Sequence, residues 1–471
     1  MPPCFRGHCR GHTISVLLKL VNNNYKKLID AREIFEVISN RMGVIDNPKE
    51  LIAFLGQHLK PKELEKKQNG EVFTPPDLIQ QKLDKLTLAD PNIWSDPSKK
   101  FLDPANGIGN YPALAFHRLM EGLENAIPNE AHRKKHILEN MLYMCELNKK
   151  NIEVSRIVFD PEGVYALNLY QGSYLDLDQY EEWGVEKFDV ILGNPPYQDS
   201  TGNNGVGHML WVTFVTKSLL LLNENGFLVF VHPAGWRQPG NDILEKFKNL
   251  QMHHLSIHDE NDGYSTFHCN TRYDWYVVQT CKNYKKTNIE CQDKTIVDID
   301  ITTLPFIPNY DFNLIQTLTN SPTKCIIVHS ESAYECRKPW ISKTKNGEFV
   351  NPVVYSVNRQ NTEKLMWSKR TDRGHFGIPK VIFGSGATGF IIDETGKYGL
   401  TQWAKAISDD VANLKQICDV LNSVEFMKVI RACSVGKAEI NIKMLRLFNK
   451  DFWKHFQTPT TTLKIKINKK I

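Results

Sequence analysis

Between residues 70 and 280 the apolar positions fall in short runs, each ended by Gly, Pro, Asp or Asn and separated by stretches with helical spacing. This alternation predicts an α/β domain with a largely parallel sheet, because buried parallel strands read as unbroken apolar runs and their crossovers as amphipathic helices. Four strands are placed this way: Phe101 to Asp103, Leu142 to Glu146, Phe188 to Gly193 and Gly226 to Val231. Another run ends at Gly172-Ser173-Tyr174-Leu175, and an amphipathic helix is expected from Asp77 to about Leu86. Residues 13–66 carry mixed apolar periodicity among many charges, which predicts two or three helices covering one side of the larger domain. Beyond Cys281 the order breaks into irregular segments with Gly-rich turns at residues 383–389 and 395–399, followed by an amphipathic helix from about Val411 to Met427. The pattern divides the chain into an N-terminal helical segment (1–69), a catalytic domain (70–285), a C-terminal mixed α/β domain (286–460) and a basic tail (461–471).

Composition narrows the class. No apolar run approaches the roughly 18 residues that cross a bilayer, so no membrane partner is expected. The ten cysteines form no CxxC pair and the N-terminus lacks an apolar signal core, which points to a reduced, intracellular compartment where its substrate lies. Cys4, His8, Cys9 and His12 are the nearest approach to a metal cluster, but their spacing matches no paired-ligand pattern and no metal site is assigned. The net charge of +5 is uneven: residues 286–471 carry +9 and residues 1–285 carry −4. The basic half is the candidate for touching phosphates, although a lysine-rich solvated surface has the same composition.

The chemistry concentrates at the strand ends. Phe188 to Gly193 runs straight into Asn194-Pro195-Pro196-Tyr197. The amide oxygen of Asn194 and a carbonyl freed by the proline pair can accept both hydrogens of a planar amine, and Tyr197 offers a face for a heteroaromatic ring. Held so, the amine keeps its lone pair free to attack an electrophile. Asp103-Pro-Ala105-Asn-Gly107-Ile-Gly109-Asn110 follows the first strand and opens a helix, with glycines where the chain turns tightly. A single G-x-G after an acidic strand end suits a cationic, amine-bearing ligand such as S-adenosylmethionine better than a dinucleotide. Glu146, at the next acidic strand end, is placed to bind two ribose hydroxyls. A G-x-G turn is also an ordinary turn, and a strand-terminal Glu an ordinary helix cap.

Taken in order, Val72-Phe73-Thr74-Pro75-Pro76, Asp103 to Gly109, Glu146, Gly172-Ser173-Tyr174, Gly193 to Tyr197 and Asn225 to Val231 resemble the γ-class N6-adenine DNA methyltransferases, in particular the Eco57I-type restriction–modification methylases. The resemblance covers about residues 70–280 and implies a Rossmann-like, seven-stranded S-adenosylmethionine-dependent methyltransferase core with a C-terminal target-recognition domain. It implies that Phe73 and Thr74 close over the methionine part of the donor, that Asp103, Ala105, Gly107 and Gly109 hold its amino-acid end, and that Glu146 takes the ribose. Tyr174 packs on the donor's adenine in that scheme, and Ser173 stands where many members carry Asp. The segment from Gly263 to Val278 is similar to a late motif whose aromatic, here Phe267, stacks on the extruded base.

The activity so implied is site-specific methylation of adenine N6 in double-stranded DNA. Tyr197 and Phe267 sandwich the flipped base, and Asn194 with the Pro195 carbonyl aligns N6 for direct transfer. Direct transfer needs neither a covalent enzyme intermediate nor a metal. Arg337, Lys338, Arg359, Lys369, Arg370, Arg373 and Lys437 are the candidates for phosphate contact and base readout, and Gly396 to Thr401 resembles the Eco57I-type recognition region. Any DNA cutting is expected from a separate cognate restriction endonuclease. Two other readings stay open on the residues alone: an RNA adenine or protein glutamine methyltransferase using the same corner, and a catalytically silent DNA-binding module.

Overall fold

The computed structural model describes residues 73–457 apart from 161, 199–208, 330–333, 385, 387–388 and 436–440. The expected N-terminal helices, the Cys4–His12 cluster, the basic tail and Lys437 lie outside the described residues. The chain divides into two compact units, one reaching residue 236 and resuming at 241–303, the other made of 237–240 and the residues from 304 onward.

The first unit is built on a nine-stranded sheet of order β3-β2-β1-β4-β5-β7-β6-β8-β9. The strands are β1 (Phe101–Asp103), β2 (Leu142–Glu146), β3 (Asn168–Gln171), β4 (Phe188–Gly193), β5 (Leu222–Pro233), β6 (Gln251–Ile257), β7 (Tyr273–Gln279), β8 (Thr287–Glu290) and β9 (Ile296–Ile299). The first five pair with one another in parallel, whereas β7 lies antiparallel between β5 and β6. The first seven strands are the expected Rossmann-like methyltransferase sheet, and β8 and β9 extend its edge. The extra pair lies past residue 285, where the change of sequence pattern sets a boundary.

Helices of eight residues or more are numbered α1 (Pro76–Ala89), α2 (Asn110–Gly122), α3 (Lys149–Phe159), α4 (Leu210–Leu221) and α5 (Glu260–Phe267) in this unit. Pro76 starts α1 without a side-chain cap, as proline can at the first helical position. Its inward stripe, Leu78, Ile79, Leu83 and Leu86, repeats at helical spacing and is buried, with Ile79, Leu83 and Leu86 joining Phe101, Leu114, Met144 and Val229 in the main core. Strand order reverses between β1 and β4, and α/β sheets bind ligands beyond the strand C-termini at such a point.

The second unit is mixed α/β, as expected, and holds two four-stranded sheets whose individual strands the irregular sequence pattern does not mark. One, of order β10-β17-β14-β15, is antiparallel: β10 (Ile326–His329), β17 (Ala404–Ser408), β14 (Lys380–Gly384) and β15 (Phe390–Asp393). The other, of order β11-β13-β12-β16, pairs β11 (Ile341–Ser342), β13 (Glu363–Ser368), β12 (Asn351–Val357) and β16 (Gly399–Leu400), the last parallel to β12. Its longer helices are α6 (Phe312–Thr319), α7 (Val411–Leu421) and α8 (Val424–Ala432). The expected single helix from Val411 to Met427 is therefore two. The break falls at Asn422 and Ser423, where the Ser423 hydroxyl accepts the Phe426 N–H at 3.1 Å and caps a new helix.

Candidate active site

The C-terminal ends of β1, β2 and β4 bring the sequence-predicted donor residues together. Asp103 ends β1 and is 2% exposed. Its Oδ1 accepts the Ala105 N–H at 3.0 Å, whereas the buried Oδ2 has no hydrogen-bond partner. A buried carboxylate oxygen without a donor is costly to hold, so its persistence here points to a ligand that supplies one. Burial raises the Asp103 carboxyl to about 8; the Ala105 N–H opposes the rise, Glu146 adds to it and Lys82 opposes it.

The glycine turn then reverses the chain into α2. Gly107 and Gly109 have φ of +57° and +92°, a region that favours glycine. A Cβ on Gly107 would lie 3.4 Å from the Phe73 ring, which places the Phe73-Thr74 segment directly over the turn. Asn110 fastens that segment, donating from Nδ2 to the Thr74 carbonyl at 2.9 Å. Glu146 ends β2 and accepts the Gly107 N–H on Oε2 and the Asn148 N–H on Oε1, both at 2.7 Å.

The Asn194 corner adjoins this cradle. Gly193, the last residue of β4, has no room for a side chain, because a Cβ there would sit 2.9 Å from Asp103 Oδ1. Asn194, Pro195, Pro196 and Tyr197 therefore leave the sheet beside the Asp103 carboxylate. The Tyr197 hydroxyl is buried with no hydrogen-bond partner, and its pKa is pushed up by burial and then by nearby Cys269 and Tyr273. Phe267 ends α5, is 5% exposed and meets Tyr273 edge-on at 4.9 Å. The Phe267 ring is packed among Leu78, Val231, Tyr273 and Trp275.

Ser173 and Tyr174 follow β3. The Ser173 hydroxyl accepts the Leu175 N–H at 3.2 Å. The Tyr174 ring is 2% exposed and packs against Phe214 of α4 at 5.0 Å, so the surface it offers a ligand is small.

Lys82 and Tyr111 were not singled out by the sequence motifs. Lys82 is fully buried on α1, donates to the Tyr111 hydroxyl and lies 5.0 Å from that ring's centroid. Burial holds the lysine well below its ordinary pKa, opposed by Asp103. Tyr111 is raised by burial first, and Asp103, Tyr197 and Tyr273 add to the rise, so it stands among both halves of the site. The available signal was a lysine in the apolar stripe of α1, one turn after Leu78 and Ile79.

In the second unit the candidate cations Arg337, Arg359, Lys369 and Arg373 are exposed, and Lys338 and Arg370 are half-buried. Lys338 and Arg370 lie over the Trp340 ring at 6.0 and 5.0 Å, and Lys369 over Phe349 at 5.9 Å. Gly396 to Thr401 is held firmly. Gly396 has φ +70° with the Ile378 nitrogen 2.3 Å from where a Cβ would stand, and Asp393 accepts the Lys397 and Tyr398 N–H groups at 2.8 and 3.0 Å.

Comparison with known proteins agrees with the motif reading. Residues 123–267 match the family described as Eco57I restriction-modification methylase, which bears out the resemblance read from the sequence. An uncharacterized adenine-specific methylase of Mycoplasma pneumoniae is 27% identical over 270 residues, 43% of this chain and 64% of that protein. The chain thus spans just under two thirds of that relative's length. Among solved structures, the type IIL restriction-modification enzyme MmeI in complex with DNA superposes with a TM-score of 0.52 at 10% identity, over 84% of this chain and 69% of the other. That likeness is one of fold.

Proposed function

We propose that this chain is an adenine-specific DNA methyltransferase, moving a methyl group from S-adenosylmethionine to N6 of an adenine swung out of duplex DNA. The observation that carries the proposal is the contact between Gly193 and Asp103, which sets an amine-gripping corner beside an unpartnered buried carboxylate. The residues fit the donor: a cationic ammonium completes Asp103 Oδ2, the side-chain-free Gly107 lets a ligand approach the turn under Phe73, and Glu146, an acceptor at the end of β2, is of the type that binds hydroxyls. The similarity to Eco57I-type methylases and to an adenine-specific methylase supports the same chemistry.

The donor supplies an electrophilic methyl group on a sulfonium. Asn194 and the Pro195 carbonyl accept the two N6 hydrogens, which turns the nitrogen lone pair away from the ring and toward the methyl group. The half-buried Tyr197 offers a stacking surface worth roughly 1–3 kcal/mol per base contact, a share of the few kcal/mol of unstacking, whereas the Phe267 ring is packed in the core and the surface it offers a base is small. Asp103 would hold the donor's amino end beside the corner, so catalysis would be chiefly alignment and stabilisation of charge on the amine. The basic second unit supplies the DNA contacts, and a separate nuclease partner does any cutting.

Modification-sensitive sequencing of DNA from cells expressing the chain tests this. It should report N6-methyladenine at one sequence context, reduced about 10²–10³-fold by Asn194→Ala with donor affinity kept. Methylation confined to RNA or protein would replace the proposal with one of the alternative substrates.

A further inference from the structure

We propose that Lys217 is a positioning residue for the adenine end of the donor pocket, fastening the main chain that follows β3 to helix α4. The inference rests on the donor-binding reading above. Its Nζ donates to the carbonyls of Tyr174 at 2.8 Å, Leu175 at 3.2 Å and Leu177 at 2.7 Å. These bonds use all three donors of an ammonium group. The same nitrogen lies 5.0 Å from the centroid of the Tyr174 ring.

Phe214, Lys217 and Ser218 stand at helical spacing on one face of α4, and all three meet this loop. Phe214 packs on the Tyr174 ring at 5.0 Å, and the Ser218 hydroxyl shares a 3.1 Å hydrogen bond with the Tyr174 hydroxyl. The Tyr174 side chain is thereby drawn into the core, so the Gly172-to-Leu175 segment offers a ligand its main chain and the half-buried Ser173 and Leu175 side chains. The loop's own bonds are few: Leu175 N–H to Ser173 Oγ, Asp176 N–H to the Ser173 carbonyl at 3.0 Å and Leu177 N–H to the Tyr174 carbonyl at 3.3 Å. Gly172 is tied to β2, its N–H donating to the Glu146 carbonyl at 3.0 Å, and beyond it the clamp on the Tyr174, Leu175 and Leu177 carbonyls holds the segment's shape. Burial lowers the Lys217 pKa, and Cys145, Asp176 and Asp178 work in the opposite sense.

Binding of two ligands separates this role from the rest of the site. Adenosine carries only the end that Lys217 shapes, whereas S-adenosylhomocysteine adds the amino-acid end assigned to Asp103. Calorimetric titration of the full chain should show Lys217→Met weakening both ligands by the same factor, about 10- to 100-fold, the effect of losing charged hydrogen bonds. Lys217→Arg should restore most of it, and Asp103→Ala should weaken S-adenosylhomocysteine alone. Adenosine affinity unchanged in Lys217→Met would overturn the proposal. If the methionine variant does not fold, Lys217→Gln, which keeps a donor, should show a smaller loss for both ligands, and wild-type adenosine affinity in it would likewise sink the idea. Wild-type protein that binds neither ligand would instead remove the donor reading itself.

Discussion

The two units bury charge in opposite ways. In the second, Lys380 and Asp393 are both buried and paired at 2.7 Å, and each has further partners: Lys380 also donates to the Ile378 carbonyl, and Asp393 also accepts two backbone N–H groups. In the first, Lys82 has Tyr111 as its hydrogen-bond partner, and Asp103 keeps an oxygen unused. A closed network fixes a fold, here the turn that carries Gly396 to Thr401. An open one costs stability and is kept where something else completes it. The difference distinguishes scaffold from site without reference to any motif.

Substitutions on either side sharpen that contrast. Asp393→Ala should have the largest effect on folding, about 3–5 kcal/mol in denaturant titration of the second unit, because it strands the buried Lys380 charge. Donor affinity should stay at the wild-type value, and a loss of it would blur the distinction. Asp103→Ala should do the reverse. Donor binding should weaken by about 1.5–3 kcal/mol, or roughly 10- to 100-fold, while the ligand-free protein melts no lower than wild type. Lys82→Met should matter least to stability, within about 1 kcal/mol, since an apolar group replaces a desolvated amine. Its signature is electrostatic: Lys82 holds the Asp103 pKa down, so removing it should move the pH at which donor affinity levels off to a higher value. An unmoved pH profile would show that Lys82 is packing only.

Much of the site was legible in the chain because strand ends and tight turns leave strong local signals. Phe101–Asp103, Leu142–Glu146 and Phe188–Gly193 are strands with the bounds that their apolar runs suggest, and Asp103, Glu146 and Asn194 stand at or just past their ends. Three kinds of feature were not legible. Strand β9 alternates exposed with half-buried residues and takes its pairing from β8, so no apolar run marks it. The helix break at Ser423 depends on a cap that a continuous amphipathic pattern conceals. The environment of Tyr174 is decided by Phe214, Lys217 and Ser218, some forty residues away in sequence, and local pattern carries no word of it. Lys82 is intermediate: its place in an apolar stripe is visible, but the Tyr111 hydroxyl and Asp103 that explain it come from other elements.

The most direct measurement is calorimetric titration of S-adenosylmethionine near pH 7 in buffers of different ionisation enthalpy. In the free protein the Asp103 carboxyl sits at about 8 and is mostly protonated at that pH. A cation seated on Oδ2 favours the ionised form and lowers that pKa, so binding must expel a proton. Affinity should therefore rise about tenfold per pH unit up to about 8 and then level off, with close to one proton released in wild type and none in Asp103→Asn. Tight binding with no proton exchange, or the same exchange in Asp103→Asn, would contradict the assignment of the open carboxylate as the donor's anchor.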